Sequence, residues 1–358
     1  MPSKCPQFGR RDRRTKRTVI EAEARSCPQP RTLTEFSPDP QRWPRTECAS
    51  TNLCQMGSEE WLQSGRGDYL PQGWESVTRG VRVPEGASEP QRLRAWLAAL
   101  PEPAALTHVT AAKLRGWWLP PLPEAIPVTV AVPHEVRVRR AGLRTIRCRG
   151  PVAIEMVEGL PVEPVAATLS RCARDLSPLD MLCLADAARV GGAEGLALEP
   201  SGTWGAARTR LAVALSHCVA ESIWEVLLRE FHRVVEVDVV PQLDVCDDDG
   251  QLLGRADLWL VGTKTIHEYD GGQHRTPEQH RADLRRDRRL MAAGWQRRGY
   301  TSGDLLHRPY SILRDIDLTL GRPSDPGRIA AWNDLLRAST FTPEGRVKLA
   351  RRLKIAGG

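Results

Sequence analysis

The stretch GRADLWLVGTKTIHEYDGGQH, residues 254–274, decides the fold of the second half of this chain. It covers parts of two apolar segments, 252–261 and 265–269, whose residue types are typical of β-strands. Only the short segment 262–264 separates them, and a connection of that length joins strands that run antiparallel. The sequence therefore predicts two neighbouring antiparallel strands at this point.

Three carboxylates lie on these strands or directly after them. Asp257 is in the first strand, and Glu268 is in the second. Asp270 is two residues beyond Glu268, so on a strand both side chains point to the same face. Because converging carboxylates repel each other, they favour a cation, and Mg²⁺ or Mn²⁺ prefers such oxygen ligands. We therefore predict a divalent metal site formed by Asp257, Glu268 and Asp270, where a bound ion would polarise a phosphate and activate a water.

Helices and strands alternate around this pair of strands. The predicted elements are a helix over 208–231, a strand over 234–240, a turn at 247–250, a helix over 279–293 that ends at Gly294, a strand over 295–300 and a helix over 304–318. Their order is α-β-β-β-α-β-α. It predicts an α/β domain over residues 206–320, with a central mixed sheet flanked by helices.

The rest of the chain has a different pattern. Residues 57–200 predict a smaller α+β domain, with helices over 88–100, 110–116, 162–176 and 178–190 and strand-like alternation over 128–132 and 136–147. Residues 191–205 are rich in glycine and predict a linker. Residues 321–358 predict a helical extension with a basic end. Residues 1–56 are rich in Pro, Arg, Ser and Thr and predict a disordered basic tail.

Composition restricts the class of protein. The 358 residues carry a net charge of +7, which favours an anionic partner. No apolar run approaches the length that spans a bilayer, and the N-terminal residues have no apolar signal segment. The nine cysteines include no CxxC pair, so reduced thiols fit better than a zinc ribbon or disulfides. We expect a cytoplasmic protein without a membrane partner, and the absence of GxGxxG and GxxxxGK[ST] motifs gives no support for a nucleotide-binding fold.

An ordered set of motifs resembles the PD-(D/E)XK nuclease superfamily, and specifically the branch similar to very-short-patch-repair endonucleases. The matching pieces are Glu221, Asp257, EYDGGQH at 268–274, DLRRD at 283–287 and LMAAGW at 290–295. These pieces extend from residue 221 to residue 295. The resemblance implies a restriction-endonuclease-like fold and metal-dependent DNA cleavage in repair, restriction or phage defence.

The resemblance also assigns roles to individual residues. It implies that Asp257 and Glu268 are metal ligands, and that Asp270 stands where the wider superfamily has a lysine. His274 is then the candidate general base, since its ordinary pKa is near neutrality. Glu221 completes the catalytic set from a helix. The predicted phosphate contacts are Arg285, Arg286 and Arg289, with Asp287 as a further bracing residue.

Each of these residues also has a purely structural interpretation. Asp270 fits a turn before Gly271, and His274 fits an exposed surface. Glu221 fits the solvent-facing side of a helix, and the run 285–289 fits a solvated helix face. Asp257 and Glu268 are harder to explain in this way, because a lone carboxylate in an apolar strand is costly.

The first domain resembles the region that precedes such nuclease-like domains in proteins related to AbiEi-type antitoxins, which begin with a winged helix. The resemblance lies in residues 107–133 and 158–176, and residues 74–84 fit a wing loosely. A helix-turn-helix is not recognisable in 57–73. Two alternatives to the nuclease follow: a non-catalytic DNA-binding regulator with a degenerate nuclease-like domain, and a protein partner of a toxin in a toxin–antitoxin or defence system.

Overall fold

The computed structural model describes residues 63–64, 70, 72–193, 205–271 and 277–354. The predicted tail 1–56, most of the predicted linker 191–205 and His274 lie outside the described residues. The described chain is a mixed α/β structure with three sheets.

The strands and helices have the following bounds. The strands are β1 (Gln63–Ser64), β2 (Trp74–Thr78), β3 (Val81–Pro84), β4 (Ala105–Leu106), β5 (Val128–Pro133), β6 (Leu143–Cys148), β7 (Glu155–Val157), β8 (Leu160–Val162), β9 (Val239–Cys246), β10 (Leu252–Leu260), β11 (Thr265–Tyr269) and β12 (Gln296–Tyr300). The helices are α1 (Glu89–Ala98), α2 (His108–Leu114), α3 (Val165–Cys172), α4 (Pro178–Val190), α5 (Ala206–Leu215), α6 (Ile223–Val234), α7 (Pro277–Ala292), α8 (Ser302–His307), α9 (Pro309–Leu320), α10 (Ala330–Ala338) and α11 (Pro343–Leu353), with a 3-10 turn at Pro326–Ile329. None of these helices has the length and apolar character needed to cross a membrane.

The sheet that holds the candidate site has the strand order β12-β11-β10-β9. Strands β10 and β11 pair antiparallel, with Leu258 opposite His267, which confirms the predicted strand pair. Strand β12 pairs parallel to β11, with Gly299 opposite Glu268. The sheet is therefore mixed, and the predicted order α-β-β-β-α-β-α is confirmed from α6 to the helices after β12.

Helices cover both faces of this sheet. Helix α6 packs Leu227 and Phe231 into a core with Leu258 of β10. On the other face, Leu290 of α7 packs in a cluster with Ile266 of β11. These buried apolar side chains are removed from water, which is the main driving force that holds the layers together.

Helix α7 ends where the sequence predicts. Gly294 has a φ of +75°, a left-handed conformation that glycine adopts without a side-chain clash. The amide of Gly294 donates to the carbonyl of Met291 at 3.0 Å, and the amide of Trp295 donates to that of Leu290 at 2.9 Å. These two bonds form a Schellman motif, which ends the helix and turns the chain into β12.

The first half of the described chain contains the other two sheets. A five-stranded sheet has the order β6-β5-β4-β8-β7, so β6 is an edge strand. The small sheet β1-β3-β2 includes an antiparallel pairing of β2 with β3, which spans the predicted wing at 74–84. Helices α3, α4 and α5 form a separate apolar cluster with Leu349 and Leu353 of α11, so the C-terminal helix packs against the first half of the chain.

Several predicted elements are wrong in their bounds. The helix predicted over 208–231 is two helices, α5 and α6, separated by residues 216–222. The apolar stripe continues across the break, but Ser222 caps a new helix by accepting the amide of Glu225 at 3.3 Å. The strand predicted over 234–240 begins only at Val239, because α6 extends to Val234.

Two further predictions need similar correction. The helix predicted over 304–318 is α8 and α9, because Pro309 lacks the amide that would continue the first helix and begins the second. The alternation over 136–147 predicts one strand, yet only Leu143–Cys148 pairs as β6. The preceding residues form the connection between the parallel strands β5 and β6.

Candidate active site

Asp257 lies where β10 and β11 separate, a place we call the fork. The antiparallel pairing of the two strands ends at Leu258 and His267, so Asp257 and Glu268 occupy the next position on each strand. Beyond that point the amide of Tyr269 donates to Oδ2 of Asp257 at 2.8 Å. Beyond the last strand pair, the Asp257 carboxylate therefore accepts the hydrogen bond of a β11 amide, and this bond fixes the carboxylate beside β11.

The environment of Asp257 is unusually acidic. Burial raises the pKa of its carboxyl, and the nearby carboxylates of Glu225, Glu268 and Glu221 raise it further, to about 7. The hydrogen bond from Tyr269 acts in the opposite direction but is outweighed. Asp257 is therefore close to half protonated at neutral pH, and a cation beside it would favour its charged form.

Glu225 is the second residue of the site, and the sequence analysis did not identify it. It lies in the first turn of α6, and its Oε2 accepts the amide of Glu221 at 2.8 Å and the side-chain amide of Gln242 at 3.0 Å. The hydroxyl of Ser222 donates to Oε1 at 2.9 Å. Burial is the main cause that raises the pKa of Glu225. The Ser-x-x-Glu spacing at 222–225 is the helix-start signal that could have identified this residue from the sequence.

The sequence predicted Glu221 within a helix. In the structure it lies in the exposed segment before α6. It still acts on Asp257 through its charge. The first turn of α6 is held over the fork by Trp224, whose ring stacks on Tyr269 at a centroid distance of 5.6 Å. This stacking places the helix that carries Glu225 next to the end of β11.

Glu268 is buried and bound by two arginines. Arg286 of α7 donates to both of its carboxylate oxygens, at 2.6 and 3.1 Å, and Arg297 of β12 donates to Oε2 at 2.5 Å. The geometry of Arg286 is possible because residue 254 is glycine: a Cβ there would lie 2.5 Å from its Nε. Charge-assisted contacts of this bidentate kind are among the strongest hydrogen bonds in proteins.

Asp270 is also paired with Arg297, at 2.6 Å. Its amide donates to the carbonyl of Tyr300 at 2.8 Å, so the backbone of Asp270 continues the pairing with β12 instead of starting a turn. Its carboxylate lies against Gly299, where any Cβ would be 1.7 Å from Oδ2. Asp270 thus lies beside Glu268, as the two-residue spacing predicts, and a shared guanidinium joins the two carboxylates.

The three arginines predicted to contact phosphate have different environments. Arg286 points inward to Glu268, whereas Arg285 is exposed on α7. Arg289 is exposed as well, and its guanidinium donates to the carbonyl of Leu253 at 3.4 Å. Asp287 lies 3.8 Å from Arg297, which fits the bracing role assigned to it. His274, the candidate base, lies outside the described residues.

Among the described residues, no group of three or more His, Cys, Asp or Glu side chains has the arrangement of a complete metal site. Asp257 and Glu225 nevertheless offer oxygen donors with raised pKa values, which is the environment that a divalent cation would relieve. The oxygens of Glu268 are held by guanidinium groups, so Glu268 joins such a site only if Arg286 or Arg297 moves.

A buried histidine pair lies behind the fork. His232 of α6 and His267 of β11 are joined by a hydrogen bond between Nε2 and Nδ1 at 2.8 Å, and Nδ1 of His232 bonds the carbonyl of Leu228 at 2.8 Å. Burial lowers the pKa of His232 to about 4 and that of His267 well below its usual value. Both rings are therefore neutral near pH 7 and connect the helix to the sheet.

Comparison with known proteins gives no relative for this arrangement. No protein-family model, curated protein or solved structure matches the chain.

Proposed function

We propose that this chain is a metal-dependent DNA endonuclease or nickase of the PD-(D/E)XK class, with a restriction-endonuclease-like fold, that acts in repair, restriction or phage defence. The observation that carries the proposal is the position of Asp257. It lies at the fork beside Glu268, with Glu225 close enough to raise its pKa. Carboxyl groups with strongly shifted pKa values are enriched at functional sites.

The electrostatics favour a cation at Asp257. Charged Asp257 is disfavoured by its neighbours, and of the residues that the structure describes, no lysine or arginine forms an ion pair with it. We infer that Mg²⁺ or Mn²⁺ is held by Asp257 and Glu225. Such an ion, when bound, polarises a phosphate and lowers the pKa of a water.

The arginines supply the positive charge that the site needs for a polyanion. Arg297 contacts both Glu268 and Asp270, so it places a cation where the superfamily that this chain resembles has its lysine. Arg286 is the second guanidinium at Glu268, and Arg285 and Arg289 are exposed on the same helix. In this proposal the exposed pair holds the DNA backbone, and Arg297 stabilises the charge that develops on the phosphate.

The experiment is cleavage of supercoiled plasmid by the purified full chain in Mg²⁺ or Mn²⁺. We expect nicked or linear product from the wild-type protein, and a loss of at least 100-fold in Asp257→Asn and Glu225→Gln, since each variant removes a charged ligand. Asp249→Asn is the matched control, because Asp249 is exposed in the β9–β10 turn. Equal cleavage by Asp257→Asn and the wild-type protein at equal DNA binding would reject the catalytic proposal.

A second function has a specific observation in its favour. Both oxygens of Glu268 are already bound by arginines, and Asp270 stands where the superfamily that this chain resembles has a lysine. These contacts fit a degenerate nuclease-like domain in a DNA-binding transcriptional regulator of the antitoxin type, acting alone or with a toxin partner. Tight binding of a promoter duplex, with no cleavage in either metal, would favour this second function over the first.

A further inference from the structure

A strongly basic segment of the described chain lies far from the fork in sequence. Residues 137–149 contain six arginines and no acidic residue. In the fold they form the end of the connection between β5 and β6, the edge strand β6 itself and the residue that follows it. The basic segment is therefore displayed along one free edge of the five-stranded sheet.

This edge borders a cleft of about 560 Å³, which we call the arginine cleft. The charged side chains that line it are Arg137, Arg144, Arg147, Arg149 and Arg174, with His134 at the connection. Arg174 comes from the segment after α3, so two separate parts of the chain converge on the same space. Arg147 and Arg149 are exposed.

The positive charge of the cleft is only partly neutralised. Arg144 pairs with Asp175 at 2.7 Å, and Arg137 donates to backbone carbonyls of His134 and Val136, which leaves its charge in place. The buried Nε of Arg174 has no hydrogen-bond partner among the described residues. Guanidinium groups gathered with so few carboxylates form an environment that an anion would stabilise.

The lining indicates what kind of anion fits. Pockets for small organic ligands are mostly apolar with a few polar groups, whereas this cleft is mostly guanidinium. Proteins that bind single strands offer aromatic rings on which bases stack, and no Phe, Tyr or Trp side chain in the described part of the chain lines the cleft. The contacts on offer are therefore to phosphate and not to bases.

We propose that the arginine cleft binds the phosphodiester backbone of duplex DNA, without sequence preference, as a second contact surface on the first half of the chain. The inference does not depend on catalysis at the fork. It assigns the first domain a part in holding DNA through an edge strand and its arginines, whatever chemistry the second half of the chain performs.

The test is fluorescence anisotropy of the full chain with a labelled 20-base-pair DNA duplex, in EDTA so that no cleavage occurs. Arg147→Ala/Arg149→Ala removes two exposed charges from the cleft. Each phosphate contact contributes about −0.9 to the slope of log affinity against log salt concentration. We therefore expect the slope of the variant to be less negative by about 2, and its affinity to be lower on the order of 10- to 30-fold at 0.15 M salt.

Three controls accompany the cleft variant. Arg314→Ala/Arg337→Ala removes two exposed charges elsewhere and should leave the slope unchanged. Arg147→Lys/Arg149→Lys keeps the charge and should keep most of the affinity. Circular dichroism melting checks that each variant folds.

Two results with the DNA duplex would overturn the inference: unchanged binding by Arg147→Ala/Arg149→Ala, or an equal loss in Arg314→Ala/Arg337→Ala. Two results with other probes would also overturn it: tighter binding of the corresponding single DNA strand, or tighter binding of an RNA duplex of the same length. If Asp257→Asn and the wild-type protein both bind DNA through the cleft and neither cleaves it, the proposed nuclease function fails while the cleft remains.

Discussion

Asp257→Asn should make the protein more stable at neutral pH, although it removes the central residue of the candidate site. The pKa of the Asp257 carboxyl is raised from 3.8 to about 7, and one pKa unit corresponds to about 1.36 kcal/mol, so the full cost of the charge is about 4 kcal/mol. Asp257 is partly exposed, and solvent screening reduces that figure to about 2–3 kcal/mol. Asparagine keeps an oxygen that can accept the amide of Tyr269.

The sign of the pH dependence follows from proton binding. Between pH 3.8 and 7 the native carboxyl holds a proton that the unfolded chain has released, so its contribution to stability is complete below pH 3.8 and is lost as pH rises through 7. Asparagine does not titrate. The stability advantage of Asp257→Asn should therefore be small near pH 4, grow with pH and reach its maximum above pH 7.

Urea unfolding at half-unit intervals from pH 5 to pH 8 measures this difference. Asp249→Asn, at the exposed turn, should show a constant difference from the wild-type protein. Mg²⁺ should reduce the advantage of Asp257→Asn, because the cation stabilises only the charged carboxylate. A variant that is less stable than the wild-type protein at pH 8, or a difference that does not change with pH, would show that the charged Asp257 carboxylate is not destabilised by its surroundings.

Three other predictions concern the surroundings of the fork. Gly299→Ala should destabilise the fold by about 1–3 kcal/mol, because its Cβ would clash with the Asp270 carboxylate. Chemical unfolding measures this loss, and an unchanged midpoint would contradict the close contact between Gly299 and Asp270. Arg297→Met should lower the free energy of unfolding by about 3 kcal/mol, because Glu268 and Asp270 lose a shared positive charge. Chemical unfolding measures this too, and an unchanged free energy would show that Arg286 alone is sufficient to stabilise Glu268. His232 alone should contribute a loss of about 3 kcal/mol in the free energy of unfolding as pH falls from 6.5 to about 4, opposite in sign to the contribution of Asp257, because His232 stays neutral in the fold while the unfolded chain gains a proton. His232→Phe should flatten that loss in pH-dependent unfolding, and an unchanged slope would exclude the histidine as its cause.

The strand pair at the fork could be predicted because its signals are local. Apolar residues over two short segments and the short connection between them define β10 and β11, and Gly294 defines the end of α7. The same-face position of Glu268 and Asp270 follows from strand geometry alone. Such features depend on neighbours in sequence, so a single sequence contains them.

The contacts that determine the character of the site could not be predicted in the same way. Arg297 reaches Glu268 from 29 residues further along the chain, and that contact depends on the parallel pairing of β11 with β12. Glu225 was missed because one apolar stripe spans α5 and α6 and hides the helix start at Ser222. Which glutamate faces Asp257 depends on where that helix begins.

The most direct test of Asp257 as a metal ligand is cleavage of supercoiled DNA by the wild-type chain and Asp257→Asn, side by side over a range of Mn²⁺ concentrations. We expect nicking that increases with Mn²⁺ for the wild-type protein and is at least 100-fold slower for the variant, although the variant is at least as stable and binds the plasmid equally well. Metal-independent cleavage, or equal rates for the two proteins, would contradict the assignment of Asp257 as the residue that holds the catalytic cation.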